Sequence, residues 1–100
     1  MRVVASIEAR MGSTRLPGKV MADIRGMPSI ARLVNRLKAC IRLDDIVLAT
    51  STAPADDPLV EWAESTGVQV HRGSEDDVLL RVVESHQKMD SDIVVEITGD

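Results

Sequence analysis

The sequence predicts an α/β domain with a parallel sheet and helices on both of its faces. Strand-like and helix-like segments alternate along the 100 residues, beginning and ending with a strand. The second and fourth strand segments are continuous apolar runs, which is typical of parallel strands buried on both faces. Such an alternation favours right-handed crossover connections. We therefore expect at least four parallel strands in the order 3-2-1-4.

The first half of the chain supplies two strands and one helix. Residues 3–7 form an apolar run that predicts the first strand, and residues 46–49 predict the second. Between them, apolar side chains recur at the i, i+3, i+4, i+7 spacing of a helix with one buried face, and they are Ile30, Leu33, Val34 and Leu37. Pro28 and Ser29 are suitable residues for the start of this helix.

The second half supplies two further helices and two strands. Asp57 and Pro58 predict an N-cap followed by proline at the first helical position, and Gly67 is a suitable stop for that helix. Residues 68–71 predict the third strand. Ser74 and Asp77 fit a capping box that opens the third helix, for which the predicted buried stripe is Val78, Leu79, Val82 and Val83. Residues 92–97 predict the fourth strand.

Composition excludes several classes of function. The net charge of −4 argues against a general binder of nucleic acid or of anionic membranes. One tryptophan, with no tyrosine or phenylalanine, leaves no stacking platform for single-stranded nucleic acid. The single cysteine excludes an internal disulfide and a cysteine-based zinc site. Because the apolar runs are too short for a signal peptide or a membrane span, we expect a cytoplasmic protein.

A cationic loop follows the first predicted strand. Between residues 9 and 22 the chain carries Arg10, Arg15 and Lys19 with no acid among them, together with Gly12 and Gly18. Glycines let backbone N–H groups approach a polyphosphate, and the cations neutralise its charge. Composition alone does not separate this interpretation from a solvated cationic loop.

Position within the predicted fold favours the ligand site. In open parallel sheets, ligands bind beyond the carboxyl ends of the strands. The cationic loop, the Thr50 and Ser51 pair, the segment 71–74 and Asp100 all follow strands at that edge. We therefore predict that they surround one site.

The segment ARMGSTRLPGK, from Ala9 to Lys19, resembles the signature loop of the cytidylyltransferases that activate acidic sugars. This family includes the acylneuraminate and Kdo cytidylyltransferases, and the resemblance is strongest to its SpsF-like branch, from spore-coat polysaccharide biosynthesis. The weaker matches DIVLATS (45–51), RGSEDDVL (72–79) and ITGD (97–100) follow in the family's order. Glu8 and Leu80 depart from it, since the family pattern suggests glutamine and aspartate there.

The resemblance implies a Rossmann-like nucleotide-diphospho-sugar transferase fold, also described as GT-A-like. It implies that residues 1–100 are the N-terminal, nucleotide-binding part of a cytidylyltransferase domain that continues beyond residue 100. That further portion would carry much of the sugar site, and a homodimer formed through it is one expected arrangement.

The activity implied is the transfer of CMP from CTP to an acidic sugar with release of pyrophosphate, in surface or spore-coat polysaccharide biosynthesis. Arg10 and Lys19 are the candidate catalytic residues, because they would neutralise the triphosphate. Asp100 is the candidate ligand of the cofactor Mg²⁺. The candidate nucleotide-binding residues are Ala9, Arg10, Met11, Gly12, Ser13, Arg15, Lys19, Ser51 and Arg72.

Three other functions compete with this one. A non-catalytic nucleotide-binding fragment, lacking the sugar-binding half, would show the same motifs. An NAD-dependent oxidoreductase is disfavoured, because no Gly-x-Gly-x-x-Gly follows the first strand. A receiver-like signalling domain has the same topology but would need an acidic pair where this chain has Arg10.

Overall fold

The computed structural model describes residues 1–12, 21, 23–24 and 27–98. Over these residues the chain forms six strands and three helices. In chain order they are β1 (Val3–Glu8), β2 (Asp23–Ile24), β3 (Met27–Pro28), α1 (Ser29–Lys38), β4 (Asp45–Ser51), α2 (Asp57–Thr66), β5 (Gln69–Gly73), α3 (Val78–Met89) and β6 (Ile93–Thr98). A short 3-10 turn, Pro54–Asp56, leads into α2.

A parallel sheet of four strands, in the order β5-β4-β1-β6, forms the centre of the fold. This confirms the predicted order 3-2-1-4. Ile7 of β1 lies opposite Leu48 of β4 on one side and Ile97 of β6 on the other. The chain first adds strands on the β4 side of β1 and then crosses to its other side, so β1 is the strand at which the direction of winding reverses. Ligand sites in such sheets lie at the carboxyl ends of strands near this reversal.

Helices α1 and α2 cover one face of the sheet. Ile30 and Val34 of α1 are buried, as the helical spacing predicts, and Leu33 and Leu37 pack beside them. Trp62 of α2 is partly buried against the same core. The buried members of this core are Ile7, Ala9, Ile30, Val34, Ile46, Leu48, Leu59, Ala63 and Val68.

Helix α3 covers the other face, and its buried stripe differs from the predicted one. Of the four predicted stripe residues only Val82 is buried, whereas Leu79 is 70% exposed and Val83 45% exposed. The buried positions are Arg81, Val82, Ser85, His86 and Met89. The reason is the placement of α3, which packs over β5, β4 and β1 and so turns its Leu79 and Val83 side toward an open groove beside β6.

The burial of strand β6 also differs from the prediction. Its continuous apolar run predicts burial on both faces, but Ile93, Val94 and Val95 are each more than a third exposed. A strand at the sheet's edge is buried only where helices extend over it, and α3 packs mainly over the other three strands.

The ends of the helices are set by local chemistry. Helix α1 begins at Ser29, as predicted, and α2 ends before Gly67, whose φ of +78° suits glycine. Helix α3 begins four residues later than the Ser74 start predicted for it. The Asp77 carboxylate caps it by accepting a hydrogen bond from the Leu80 N–H (2.9 Å), and the Ser74 hydroxyl accepts one from the Asp77 N–H (3.0 Å).

Carboxylates fasten the amino-terminal edge of the sheet, opposite the predicted site. Asp44 accepts a hydrogen bond from the Val3 N–H, and Asp92 accepts one from the Arg2 N–H, both at 2.7 Å. The Arg2 guanidinium also pairs with Asp45 at 3.1 Å. Within the described ranges, no helix is both long and apolar enough to cross a bilayer.

Candidate functional site

Three chain segments meet at the carboxyl edge of the sheet. The first described residues of the cationic loop, 9–12, leave β1 there, and the Ala9 N–H donates to the Ala49 carbonyl of β4 (3.3 Å). The turn after β4 is fastened to β5, because the Thr52 N–H donates to the Gly73 carbonyl (3.2 Å). The predicted convergence of β1, β4 and β5 is therefore present in the backbone.

Asp56 joins the cationic loop to the turn after β4. Its side chain is almost fully buried, with 2% of the residue exposed. One carboxylate oxygen accepts a hydrogen bond from the Met11 N–H (2.7 Å), and the other accepts one from the Ser51 hydroxyl. The Ser51 oxygen in turn accepts from the Ala53 N–H (3.1 Å). One acidic side chain thus connects the ends of two neighbouring strands.

Arg72 fastens the same turn from the β5 side. Its Nε donates to the Ser51 carbonyl (2.8 Å) and its Nη2 to the Ala53 carbonyl (2.9 Å). Its Nη1 forms an ion pair with the Asp57 carboxylate at 2.9 Å. Because all three guanidinium nitrogens have protein partners, Arg72 orders the edge of the site, and direct contact with a nucleotide stays a prediction.

A buried ion pair fixes the loop after β5. The Arg81 side chain is fully buried, and its Nη2 lies 2.5 Å from the Glu8 carboxylate at the end of β1. Its Nη1 donates to the carbonyls of Ser74 (3.1 Å) and Glu75 (3.3 Å). A Cβ at Gly73 would lie only 2.7 Å from the Arg81 Cβ, so this approach requires glycine.

The candidate residues other than Arg72 fall into three groups. Arg10 and Gly12 are exposed, and Arg10 forms no ion pair with another described residue. Ala9 and the Ser51 side chain are buried, and Met11 is partly buried. Ser13, Arg15, Lys19 and the metal candidate Asp100 lie outside the described residues. Direct ligand contact stays a prediction for each of these positions.

The described residues contain no group of three or more His, Cys, Asp or Glu side chains able to hold a metal. Both histidines have protein neighbours. His71 Nε2 lies 3.6 Å from the Glu84 carboxylate, and His86 Nδ1 shares a hydrogen bond with the Ser91 hydroxyl (2.7 Å). Burial lowers the pKa of His86, against a smaller opposing effect of Glu96. These contacts give both histidines neighbours within the fold.

Asp56 and Arg81 were not among the residues selected from the sequence. Asp56 looks there like one acid of a polar loop, and its neighbour Asp57 is the more obvious helix cap. Arg81 lies outside the apolar stripe that the sequence predicts for α3, and only the structure shows that it occupies a buried position, one turn before the buried Ser85. A cation at such a position needs an acidic partner, which Glu8 provides.

Comparison with known proteins supplies the observation that decides the family. A sequence model of the family described as cytidylyltransferase matches residues 4–100. The chain belongs to the cytidylyltransferase family. It is 38% identical over 98 residues to the spore coat polysaccharide biosynthesis protein SpsF of Bacillus subtilis (strain 168), a match that covers 94% of this chain and 41% of that protein.

Two solved structures share the fold. A cytidylyltransferase from Leptospira borgpetersenii superposes with a TM-score of 0.93 at 37% identity, covering 100% of this chain and 42% of its own. A CMP:2-keto-3-deoxy-manno-octonic acid synthetase complexed with CTP superposes with a TM-score of 0.81 at 33% identity, covering 100% and 41%. The four-stranded α/β fold therefore matches the corresponding part of these enzymes. The chain spans about two fifths of the length of the relatives it matches.

Proposed function

We propose that this chain forms the CTP-binding part of an enzyme that transfers CMP from CTP to an acidic sugar and releases pyrophosphate. The observation that carries the proposal is the position of residues 9–12, the described start of the family's signature loop. The loop leaves the central strand β1 at the carboxyl edge of the sheet, where Asp56 fastens its first residues. The related synthetase complexed with CTP supports the choice of nucleotide. Surface or spore-coat polysaccharide biosynthesis is the proposed setting.

The proposed chemistry assigns the cations of the loop to the triphosphate. A hydroxyl of the sugar attacks the α-phosphorus, the bond to the bridging oxygen breaks, and pyrophosphate leaves. Arg10 and Lys19 neutralise the charge that develops on the leaving group. The Asp100 carboxylate offers the oxygen donor that Mg²⁺ prefers, and the ion would screen the phosphates.

A second candidate is a nucleotide-binding fragment without catalytic activity. It is favoured by one observation, the coverage of only about two fifths of each relative. Both candidates require nucleotide affinity, and release of pyrophosphate in the presence of CTP and an acidic sugar separates them.

Nucleotide selectivity tests the proposal on this chain directly. We expect CTP with Mg²⁺ to raise the Tm more than ATP or NAD does at equal concentration. A ligand that binds the native state stabilises it by about 2.7 kcal/mol at a hundredfold excess over Kd. Differential scanning fluorimetry measures the shift. Equal shifts with all three nucleotides would support phosphate binding alone and remove the case for cytidine.

A further inference from the structure

We propose that Asp56 is a positioning residue for the nucleotide-binding loop, which it holds through the backbone N–H of Met11. The inference rests on the proposed function and deepens it, because it identifies what orients the candidate phosphate ligand Arg10. Asp56 lies 45 residues from Met11 along the chain, so the contact is purely tertiary.

The contacts of Asp56 support a positioning role. Its carboxylate is buried, yet it forms no ion pair with another described residue. Its two oxygens instead accept hydrogen bonds from neutral donors, the Met11 N–H and the Ser51 hydroxyl. Hydrogen bonds to an ionised acceptor are about twice as strong as neutral ones. Asp56 is also not used as a cap for α2, although it stands at the cap position.

The location of the contact explains what it positions. Met11 follows Arg10 directly, so a fixed Met11 N–H fixes the peptide plane that joins the two residues. The Asp56 side is itself rigid, because Ser51 and the turn after β4 are held by Arg72. The start of the loop is therefore fastened to the sheet through one side chain. A displacement of about 1 Å in a positioned group can weaken its action a hundredfold.

Two substitutions of Asp56 separate the effect of its hydrogen bonds from the effect of its negative charge. Asp56→Ala removes both acceptors and leaves the Met11 N–H without this partner. Asp56→Asn keeps an acceptor for Met11, while its amide nitrogen donates to the Ser51 oxygen. Asp44→Ala is the matched control, because Asp44 accepts a 2.7 Å hydrogen bond from the Val3 N–H at the opposite end of β1.

Two measurements on the ¹⁵N-labelled chain test whether Asp56 positions the loop. Amide hydrogen exchange by NMR reports whether the Met11 N–H is held, and calorimetric titration reports affinity for inorganic triphosphate and for CTP with Mg²⁺. We expect Asp56→Ala to speed Met11 exchange and weaken both affinities by about tenfold, as loss of a charged hydrogen bond predicts. Asp56→Asn should stay close to wild type in both, and Asp44→Ala should change exchange at Val3 alone.

Several outcomes would overturn the inference. Unchanged Met11 exchange in Asp56→Ala would show that Asp56 does not hold the loop. Faster exchange with unchanged affinity would show that holding it has no effect on the ligand. If the alanine variant does not fold, the asparagine variant decides alone, and weakened affinity despite a protected Met11 N–H would contradict positioning. A wild-type chain that binds neither ligand would instead overturn the proposed function, while Met11 exchange would still test the contact itself.

Discussion

Among the arginines, the partners of each side chain distinguish its role better than its position along the sequence. Arg72 and Arg81 both lie near the candidate site, but backbone carbonyls and carboxylates bind the Nη1 and Nη2 atoms of both side chains. Arg10 is exposed at the same edge of the sheet. In a chain with a net charge of −4, an exposed cation of this kind is well placed for an anionic ligand.

A prediction at the scale of single residues concerns the two candidate triphosphate ligands, Arg10 and Lys19. Arg10→Ala and Lys19→Ala should each weaken the affinity for CTP with Mg²⁺ by about tenfold, because each removes a charged contact to phosphate. Affinity for cytidine, which lacks phosphates, should stay the same. Arg10→Lys should restore the Arg10 contact only partly, since a point charge does not replace a forked one.

Arg42→Ala is the control for this prediction. Arg42 is an exposed cation outside the predicted site, in the turn between α1 and β4. Calorimetric titration should show wild-type affinity for CTP in this variant. If removal of Arg42 weakens binding as much as removal of Arg10, the effect comes from net charge and the loop has no specific role.

At the scale of elements, the Glu8–Arg81 ion pair connects α3 to the end of β1. Arg81→Met should destabilise the chain by about 3 kcal/mol, because it leaves Glu8 partly buried without its counter-charge. The double variant with Glu8→Gln should recover part of this loss, since glutamine has no charge to desolvate. Urea unfolding followed by circular dichroism measures both changes.

Arg36→Met provides the comparison for the ion pair. Arg36 is exposed on α1, and its substitution should change the free energy of unfolding by less than about 0.5 kcal/mol. If Arg81→Met is equally mild, the buried pair is not what holds α3 against the sheet.

The sequence predicts elements well where local pattern and tertiary packing agree. The four strands of the sheet, the start of α1 and the Gly67 stop all follow from periodicity and capping chemistry. The β2–β3 pair is only two residues long on each side, which is too short for any period to show. The predicted buried stripe of α3 was wrong, because apolar spacing does not reveal how far a helix extends over its sheet.

The candidate site is predictable to a similar degree. The cationic loop is visible in the sequence because its residue types are unusual for an acidic chain. The contacts that hold it are not visible, since Asp56 meets Met11 across 45 residues and Arg81 meets Glu8 across 73. Such pairs depend on how the loops and α3 pack against the sheet, and sequence spacing does not reveal that packing.

At the scale of the whole molecule, one side of the described fold is apolar and open. Leu79, Val83 and Val94 are exposed around a groove between α3 and β6. Large exposed apolar patches are unusual in a soluble monomer. Because ANS binds exposed apolar surface, we expect the isolated chain to bind this dye at the groove. Leu79→Lys with Val83→Lys should reduce the dye fluorescence and leave the Tm close to wild type.

A substitution of the buried residue Val82, on the same helix, is the control for the dye-binding experiment. Val82 is 4% exposed, so Val82→Ala should lower the Tm and should not reduce dye binding. A wild-type chain that melts sharply and binds no dye would show that these side chains are covered in solution.

The central position of β1 has a consequence for the order of folding. Among the described strands β1 comes first along the chain and β4 follows it by about 40 residues, but β6 pairs with it only after residues 93–98 have been added. Until then one edge of β1 has no neighbour, and unpaired strand edges are where nascent chains associate wrongly. Closing so long a loop is also slow compared with local helix formation. The strand from which the cationic loop begins therefore gains its second neighbour only after nearly all of these 100 residues have been made.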